Sequence, residues 1–244
     1  MKQTILALTL LAAAAWVLLP ACGANADKNA GLQAPEATSQ TPTLLAEDGG
    51  VDKIKTGEAD PQAATIKNLL AAFAGETTAS AKYAAYSKKA QEEGFTQIAL
   101  LFKATSASEK IHANNHRAVL EDMGQSVPDI KPDYVVKTTQ ENLSDAITGE
   151  AYEIATMYPE FMTAANAADN PLALTSLNYA YRTEQRHKPM YEKALVALQG
   201  NQVGTLSAKY YVCPTCGNTY DSTPPKRCRI SMTSSERFVE INAL

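Results

Sequence analysis

Apolar and polar positions follow four successive patterns along the chain. Ile5 to Leu19 is an apolar run, with Thr9 inside it, behind a basic start, Met1-Lys2-Gln3-Thr4. It falls short of the roughly 20 residues a membrane-spanning helix needs, and so reads as a secretory signal, residues 1–21. From Gly23 to about Pro61 the text turns to Ala, Gly, Ser, Thr, Gln and Pro, as in Ala34-Pro35-Glu36-Ala37-Thr38-Ser39. Such a segment buries too little apolar surface to repay its ordering entropy, which predicts a flexible linker over 22–61. From Ala63 to about Gly200 the sequence is rich in Ala and Leu, and Ile98, Leu101, Phe102 and Thr105 recur at three- and four-residue spacing, one face of a helix. Gly94, Gly124 to Pro132 and Asn170-Pro171 divide this stretch into four predicted helices, about 62–91, 95–124, 138–166 and 170–199. Short, long and short connections between them suit a four-helix bundle with one crossover over 62–203. After Gly204 the pattern becomes aromatic and turn-rich, which sets 204–244 apart from the helical stretch.

Composition narrows the function. The 244 residues are 45% hydrophobic and 20% charged, too apolar and too balanced for a disordered chain. With 26 Asp and Glu against 22 Lys and Arg, and no basic block, there is no footprint for nucleic acid. Only three His and four Cys are present, so any site built from them has few members.

The middle of the chain repeats itself. Asn68-Leu69 and Gly75-Glu76 match Asn142-Leu143 and Gly149-Glu150 at a displacement of 74, and Glu109-Lys110-Ile111-His112 matches Glu184-Gln185-Arg186-His187 at 75. One residue inserted in a connection accounts for the difference. Each copy thus carries a lone glutamate followed, 33 or 34 residues later, by E-x-x-H. Residues three apart share a helix face, so Glu109 with His112, and Glu184 with His187, can each present an oxygen and a nitrogen to one point. Adding Glu76 and Glu150 from the partner helices gives the di-iron or di-manganese carboxylate arrangement of ferritin-like bundles. A single E-x-x-H is usually a solvated pair, but two at matched positions of a duplication, using two of three histidines, point to metal. Carboxylates with a few imidazoles favour iron or manganese. The copies differ at one place: Glu153 stands three after Glu150, where Ala79 follows Glu76, and Tyr152-Glu153 is expected to face the interior and add a seventh ligand. His116 has no counterpart histidine and is read as lying behind the ligands or on the surface.

Taken together, these residues resemble the rubrerythrins. The resemblance rests on Gly75-Glu76, Tyr83, Gly94-Phe95-x-Gln97-Ile98-Ala99, Glu109 with His112, Gly149-Glu150-x-Tyr152-Glu153, Met157-Tyr158-Pro159-Glu160-Phe161, and Glu184 with His187. It implies two iron ions, with manganese or zinc as substitutes, held by Glu76, Glu109, His112, Glu150, Glu153, Glu184 and His187. It also implies that Glu153 and His112 are alternative ligands to one iron, that Tyr83 and Tyr158 flank the centre, and that the chain is a peroxidase turning hydrogen peroxide to water. A homodimer is implied as well, one subunit's C-terminal module near the other's di-iron site, with an electron donor that the sequence does not identify.

The C-terminal segment, Tyr210 to Tyr220 with Cys213-Pro214-Thr215-Cys216 and then Cys228-Arg229-Ile230-Ser231, resembles a rubredoxin module, which implies a small β domain over 204–244 carrying one iron, or zinc, on two C-x-x-C knuckles. So small a module needs a metal or crosslink to stay folded. The expected fourth cysteine is Ser231. Three readings stay open: Ser231 is an oxygen ligand beside Cys213, Cys216 and Cys228; water or Met232 completes the site; or the module has lost redox function. Three thiols cannot all pair internally, so a disulfide framework explains them badly. The fourth, Cys22, closes Leu19-Pro20-Ala21-Cys22, which resembles a bacterial lipoprotein signal and implies an exported, lipid-anchored envelope protein. The competing functions are a ferroxidase or iron-handling ferritin-like protein and a non-enzymatic, metal-stabilised envelope scaffold.

Overall fold

The computed structural model describes residues 60–244; the signal, Cys22 and nearly all of the predicted linker lie outside the described residues. Helix α1, Pro61–Glu92, starts where Asp60 accepts a hydrogen bond from the Gln62 N–H, with Pro61 in the first turn, where its missing N–H costs nothing. It stops at Gly94, whose φ of +84° needs a glycine. Helix α2 is Thr96–Asp122. After the long crossover, Thr138 and Glu141 form a capping box that starts α3, Thr139–Tyr152. Helix α4 is Tyr158–Ala167, and α5, Pro171–Gln199, is capped by the Asn170 side chain on the Ala173 N–H. Helix α1 lies along α2, while α5 packs against α3 and α4.

Between α3 and α4, Glu153–Met157 is a π-turn, so the expected single helix 138–166 is interrupted. This turn also corrects the placement of the inserted residue. Glu93 and Ala168 close their helices with the same dihedral angles, φ −82° and ψ −1°, and are 75 apart, whereas Glu76 and Glu150 are 74 apart. The extra residue therefore enters between 150 and 168, inside the third helix, and not in a connection. A π-turn is how a helix absorbs one additional residue, commonly at a functional site.

Two apolar clusters fill the bundle. One holds Tyr83, Tyr86, Phe102, Leu143 and Tyr191; the other holds Leu69, Phe73, Leu120, Tyr158 and Leu177. Along each helix the chain passes from one cluster to the other through a buried polar residue: Glu76 in α1, Glu109 and His112 in α2, Glu150 in α3, Glu184 and His187 in α5. A polar layer is thus sealed between two apolar ones.

The C-terminal module is a three-stranded antiparallel sheet in the order β2-β1-β3: β1 Tyr210–Val212, β2 Thr219–Tyr220 and β3 Val239–Ile241. Tyr211 pairs with Tyr220, and Tyr210 with Ile241. Leu206, Tyr210 and Val212 join the first bundle cluster, so the module shares its core with the helices.

Candidate metal centres

Glu76, Glu109, Glu150, Glu184, His112 and His187 are each at most 1% exposed. They form two overlapping groups whose donor atoms lie within 4.8 Å of one another: Glu76, Glu109, His112 and Glu184, then Glu109, Glu150, Glu184 and His187. Glu109 and Glu184 belong to both groups, the placement expected of carboxylates shared by two ions. His112 Nδ1 lies 2.9 Å from both Glu109 and Glu184; His187 Nδ1 lies 3.1 Å from Glu109 and 2.7 Å from Glu184. Despite these distances, both Nδ1 atoms and all four oxygens of Glu109 and Glu184 lack a hydrogen-bond partner of acceptable geometry.

The opposite ring nitrogens explain why. His112 Nε2 is 3.1 Å from the Cys216 carbonyl, which can only accept, so Nε2 carries the proton. Thr219 donates its own proton to the Gly217 carbonyl, and His187 Nε2, 3.0 Å from Thr219 Oγ1, is then also a donor. Both neutral imidazoles aim an Nδ1 lone pair at carboxylates, which is repulsive until a cation sits between them. This is how metal-ligating histidines are oriented, the outer N–H anchored and the inner nitrogen free. Without ions, protons must stand in. Burial, followed by the charges of Glu109 and Glu184, lifts Glu76 to about 7. Although burial opposes its charge, Glu109 and Glu184 raise His187 to about 9. Burial also opposes the charge of Glu184, but His112 and His187 hold its carboxyl below the usual range.

Each flanking tyrosine serves the other half of the duplication. Tyr83 of α1 donates to Glu150 of α3 at 3.0 Å, and Tyr158 of α4 donates to Glu76 of α1. Glu153 sits in the π-turn, outside both donor groups, yet burial and then the charges of Glu76, Glu184 and Glu109 raise its carboxyl well above the ordinary range. Its neighbour Tyr152 is 59% exposed, so the expectation that both residues face the interior fails for Tyr152. Consecutive residues of a helix do not share a face, which separates the two.

In the module, Cys213, Cys216 and Cys228 are buried, unpaired and grouped. Cys216 Sγ is 3.4 Å from Cys228 Sγ, far beyond a disulfide bond of about 2.05 Å. Ser231 Oγ stands 3.3 Å from Cys213 Sγ, on the side where the sequence expects the fourth thiol, while Met232 is 61% exposed. The S–H groups of Cys213 and Cys216 push the Cys228 thiol down.

The module seats this loop on the helices of its own chain. Ser108 donates to the Gly217 carbonyl at 2.7 Å, Asn115 to the Thr215 carbonyl at 2.9 Å and Thr183 to the Cys216 carbonyl at 3.1 Å, beside the His112 and His187 contacts. Sequence reasoning missed Ser108, Asn115, Thr183 and Thr219. Only their position on the E-x-x-H faces and beside Cys-x-x-Cys-Gly marked them.

The rubrerythrin family model matches residues 67–195, more than half of the chain. The chain belongs to the rubrerythrin family. It is 34% identical to nigerythrin of Nitratidesulfovibrio vulgaris over 176 residues, 71% of this chain and 85% of that protein. It is 31% identical to rubrerythrin-2 of Clostridium acetobutylicum, covering 72% of this chain and 96% of that one. A solved nigerythrin structure in a fully reduced, all-ferrous state superimposes with a TM-score of 0.65 at 31% identity, covering 84% of this chain and 99% of the other. The rubrerythrin-family bundle here is continued by a small C-terminal module, with groups in each part that could hold metal.

Proposed function

We propose that this chain is a di-iron peroxidase that reduces hydrogen peroxide to water, with electrons entering through the cysteine module. The observation that carries the reading is the contact of His112 Nε2 with the Cys216 carbonyl: the loop of a cysteine group that could hold metal touches an imidazole that faces the carboxylates. Glu76, Glu109, His112, Glu150, Glu184 and His187 would hold two iron ions, with Glu153 replacing His112 at one of them. Cys213, Cys216, Cys228 and the Ser231 oxygen would hold a third. Bound iron would supply the two electrons of H2O2 + 2 e− + 2 H+ → 2 H2O.

The protein's own residues do the rest. Glu109 and Glu184 bring the two positions together. Tyr83 and Tyr158 hold protons on Glu150 and Glu76 at the edge of the centre, and the apolar clusters above and below exclude water. We also propose that a lipid on Cys22 anchors the protein in the cell envelope and that the chain works as a homodimer. Among the described residues no helix is long and apolar enough to cross a membrane. The test is anaerobic mixing of the reduced, iron-loaded protein with hydrogen peroxide. Rapid peroxide loss is expected, abolished in Glu109→Ala and His187→Ala. Oxidation of ferrous iron by oxygen without peroxide turnover would refute the reading in favour of a ferroxidase.

A further inference from the structure

The duplication equates His116 with Tyr191 at the displacement of 75, and Tyr83 with Tyr158. The structure keeps this correspondence: the Tyr191 ring packs on Tyr83 with centroids 5.5 Å apart, and the His116 ring packs on Tyr158 at 6.2 Å. The hydrogen bonds do not keep it. The Tyr191 hydroxyl turns away to Thr105 Oγ1 at 2.6 Å, so Tyr83 receives a ring and no hydrogen bond from it. His116 has two ring nitrogens and uses both, Nδ1 at 2.8 Å from Ser176 Oγ and Nε2 at a longer 3.4 Å from the Tyr158 hydroxyl.

Counting protons fixes the direction of this chain. Glu76 holding an ion can only accept, so the single proton of Tyr158 goes to Glu76. The Tyr158 oxygen must then accept from His116, which places the imidazole proton on Nε2. Nδ1 is left to accept from the Ser176 hydroxyl. One N–H per ring requires a neutral imidazole, and in the metal-free protein burial, then the neighbouring His112 charge, already pushes His116 down to about 3. The surface alternative for His116 is thus excluded, since the ring is wholly buried.

We propose that His116, anchored by Ser176, is a positioning residue: it fixes the Tyr158 hydroxyl on Glu76 and so raises ion affinity in the Glu76 half of the bundle centre, with no equivalent in the Glu150 half. The inference rests on the bundle being a two-ion site, as proposed above, but not on peroxide chemistry. Groups behind metal ligands typically change affinity by about 10- to 100-fold, and the long 3.4 Å contact places this one at the lower end, about tenfold.

Manganese(II) is the probe, because carboxylate and imidazole donors take it and thiolates do not favour it. Free manganese would be counted by electron paramagnetic resonance during titration of the metal-depleted full chain. Wild type should bind two ions. His116→Leu should weaken one of them about tenfold and leave the other unchanged, and His116→Gln, which restores an N–H toward Tyr158, should recover most of the loss. Because His116 acts through Tyr158, the double variant H116L/Y158F should bind no more weakly than Y158F alone. Two ions bound by H116L with wild-type affinity, or losses that add in the double variant, overturn the inference. Should H116L fail to fold, Ser176→Ala carries the test: a loss confined to one ion supports the role, and unchanged affinity overturns it. Peroxide turnover measured on the same variants after iron loading and reduction separates the two claims. The expected manganese pattern in a protein inert to peroxide removes the peroxidase and keeps His116. A peroxidase whose H116L form binds manganese normally does the reverse.

Discussion

Gly217 is where the module touches the bundle most closely, and a single methyl group tests that contact. A Cβ built there would overlap His112 Nε2 and lie 2.6 Å from Ser108 Oγ and 2.9 Å from His112 Cδ2. Gly217 also has φ +78°, where a side chain costs about 1 kcal/mol or more. Neither obstacle can yield cheaply. The His112 ring is held between the Cys216 carbonyl and the carboxylates, and Ser108 is wholly buried. Gly217→Ala must therefore lift the loop, which breaks the hydrogen bonds of Ser108, His112, Thr183 and Asn115 to three successive carbonyls. At about 1 kcal/mol each they sum to about 4 kcal/mol, and with the backbone penalty, discounted for partial re-hydration, the expected loss is about 3–5 kcal/mol. Urea denaturation of the full chain would read the loss, with hydrogen exchange over residues 210–220 reporting whether the loop has lifted. Gly204→Ala is the control: nothing stands within 4 Å of its added Cβ, and its stability should stay within about 0.5 kcal/mol of wild type. A loss below about 1 kcal/mol in Gly217→Ala, with exchange unchanged, would refute the docking argument.

Two further outcomes follow from the buried charges and from Ser231. In the metal-free protein the folded Glu76 carboxyl sits near 7, above its ordinary value of 4.5, and His187 near 9, above 6.5. Both groups hold more protons folded than unfolded, so their contribution is full below the unfolded values and is lost as pH rises through the folded ones. The metal-free melting temperature should fall between about pH 5 and 9, and ions, which replace those protons, should abolish the fall; a flat metal-free profile would count against the assignment. Ser231→Cys, at a position 3.3 Å from Cys213 Sγ, should add a thiolate to the module, so its iron-loaded form should absorb more strongly in the sulfur-to-iron charge-transfer region than wild type. Identical spectra would place Ser231 away from the metal.

What could be read from the residues and what could not divide along a physical line. The E-x-x-H pairs were legible because helix geometry is local: whatever the helix packs against, Glu109 and His112 share its face. Helix limits were legible for the same reason, with Gly94 and Asn170 acting through their own backbone or side chain. The module's cysteines announced themselves by spacing, and so did the absence of a fourth. The docking of Ser108, Asn115 and Thr183 on the loop was not legible, because each is an ordinary helical polar residue until the loop meets it, 109 positions away for Ser108, 100 for Asn115 and 33 for Thr183.

The single step from 74 to 75 in the duplication was visible in the sequence, but its meaning lay in where the step falls. Placed in a connection it would do nothing to the site. Placed at Glu153–Met157, it advances every later residue of the third helix by one, which brings Tyr158, and not residue 157, into the place that Tyr83 holds in the first copy. The tyrosine–glutamate bonds then cross between the halves in both directions, from Tyr83 to Glu150 and from Tyr158 to Glu76. The inserted residue thus preserves the symmetry of the tyrosines while breaking that of the helix backbone, and the turn it creates begins at Glu153, the carboxylate that the first copy lacks. A deletion within 154–157 that straightened the helix should therefore cost the Tyr158–Glu76 bond and the placement of Glu153 together, since both depend on the same turn.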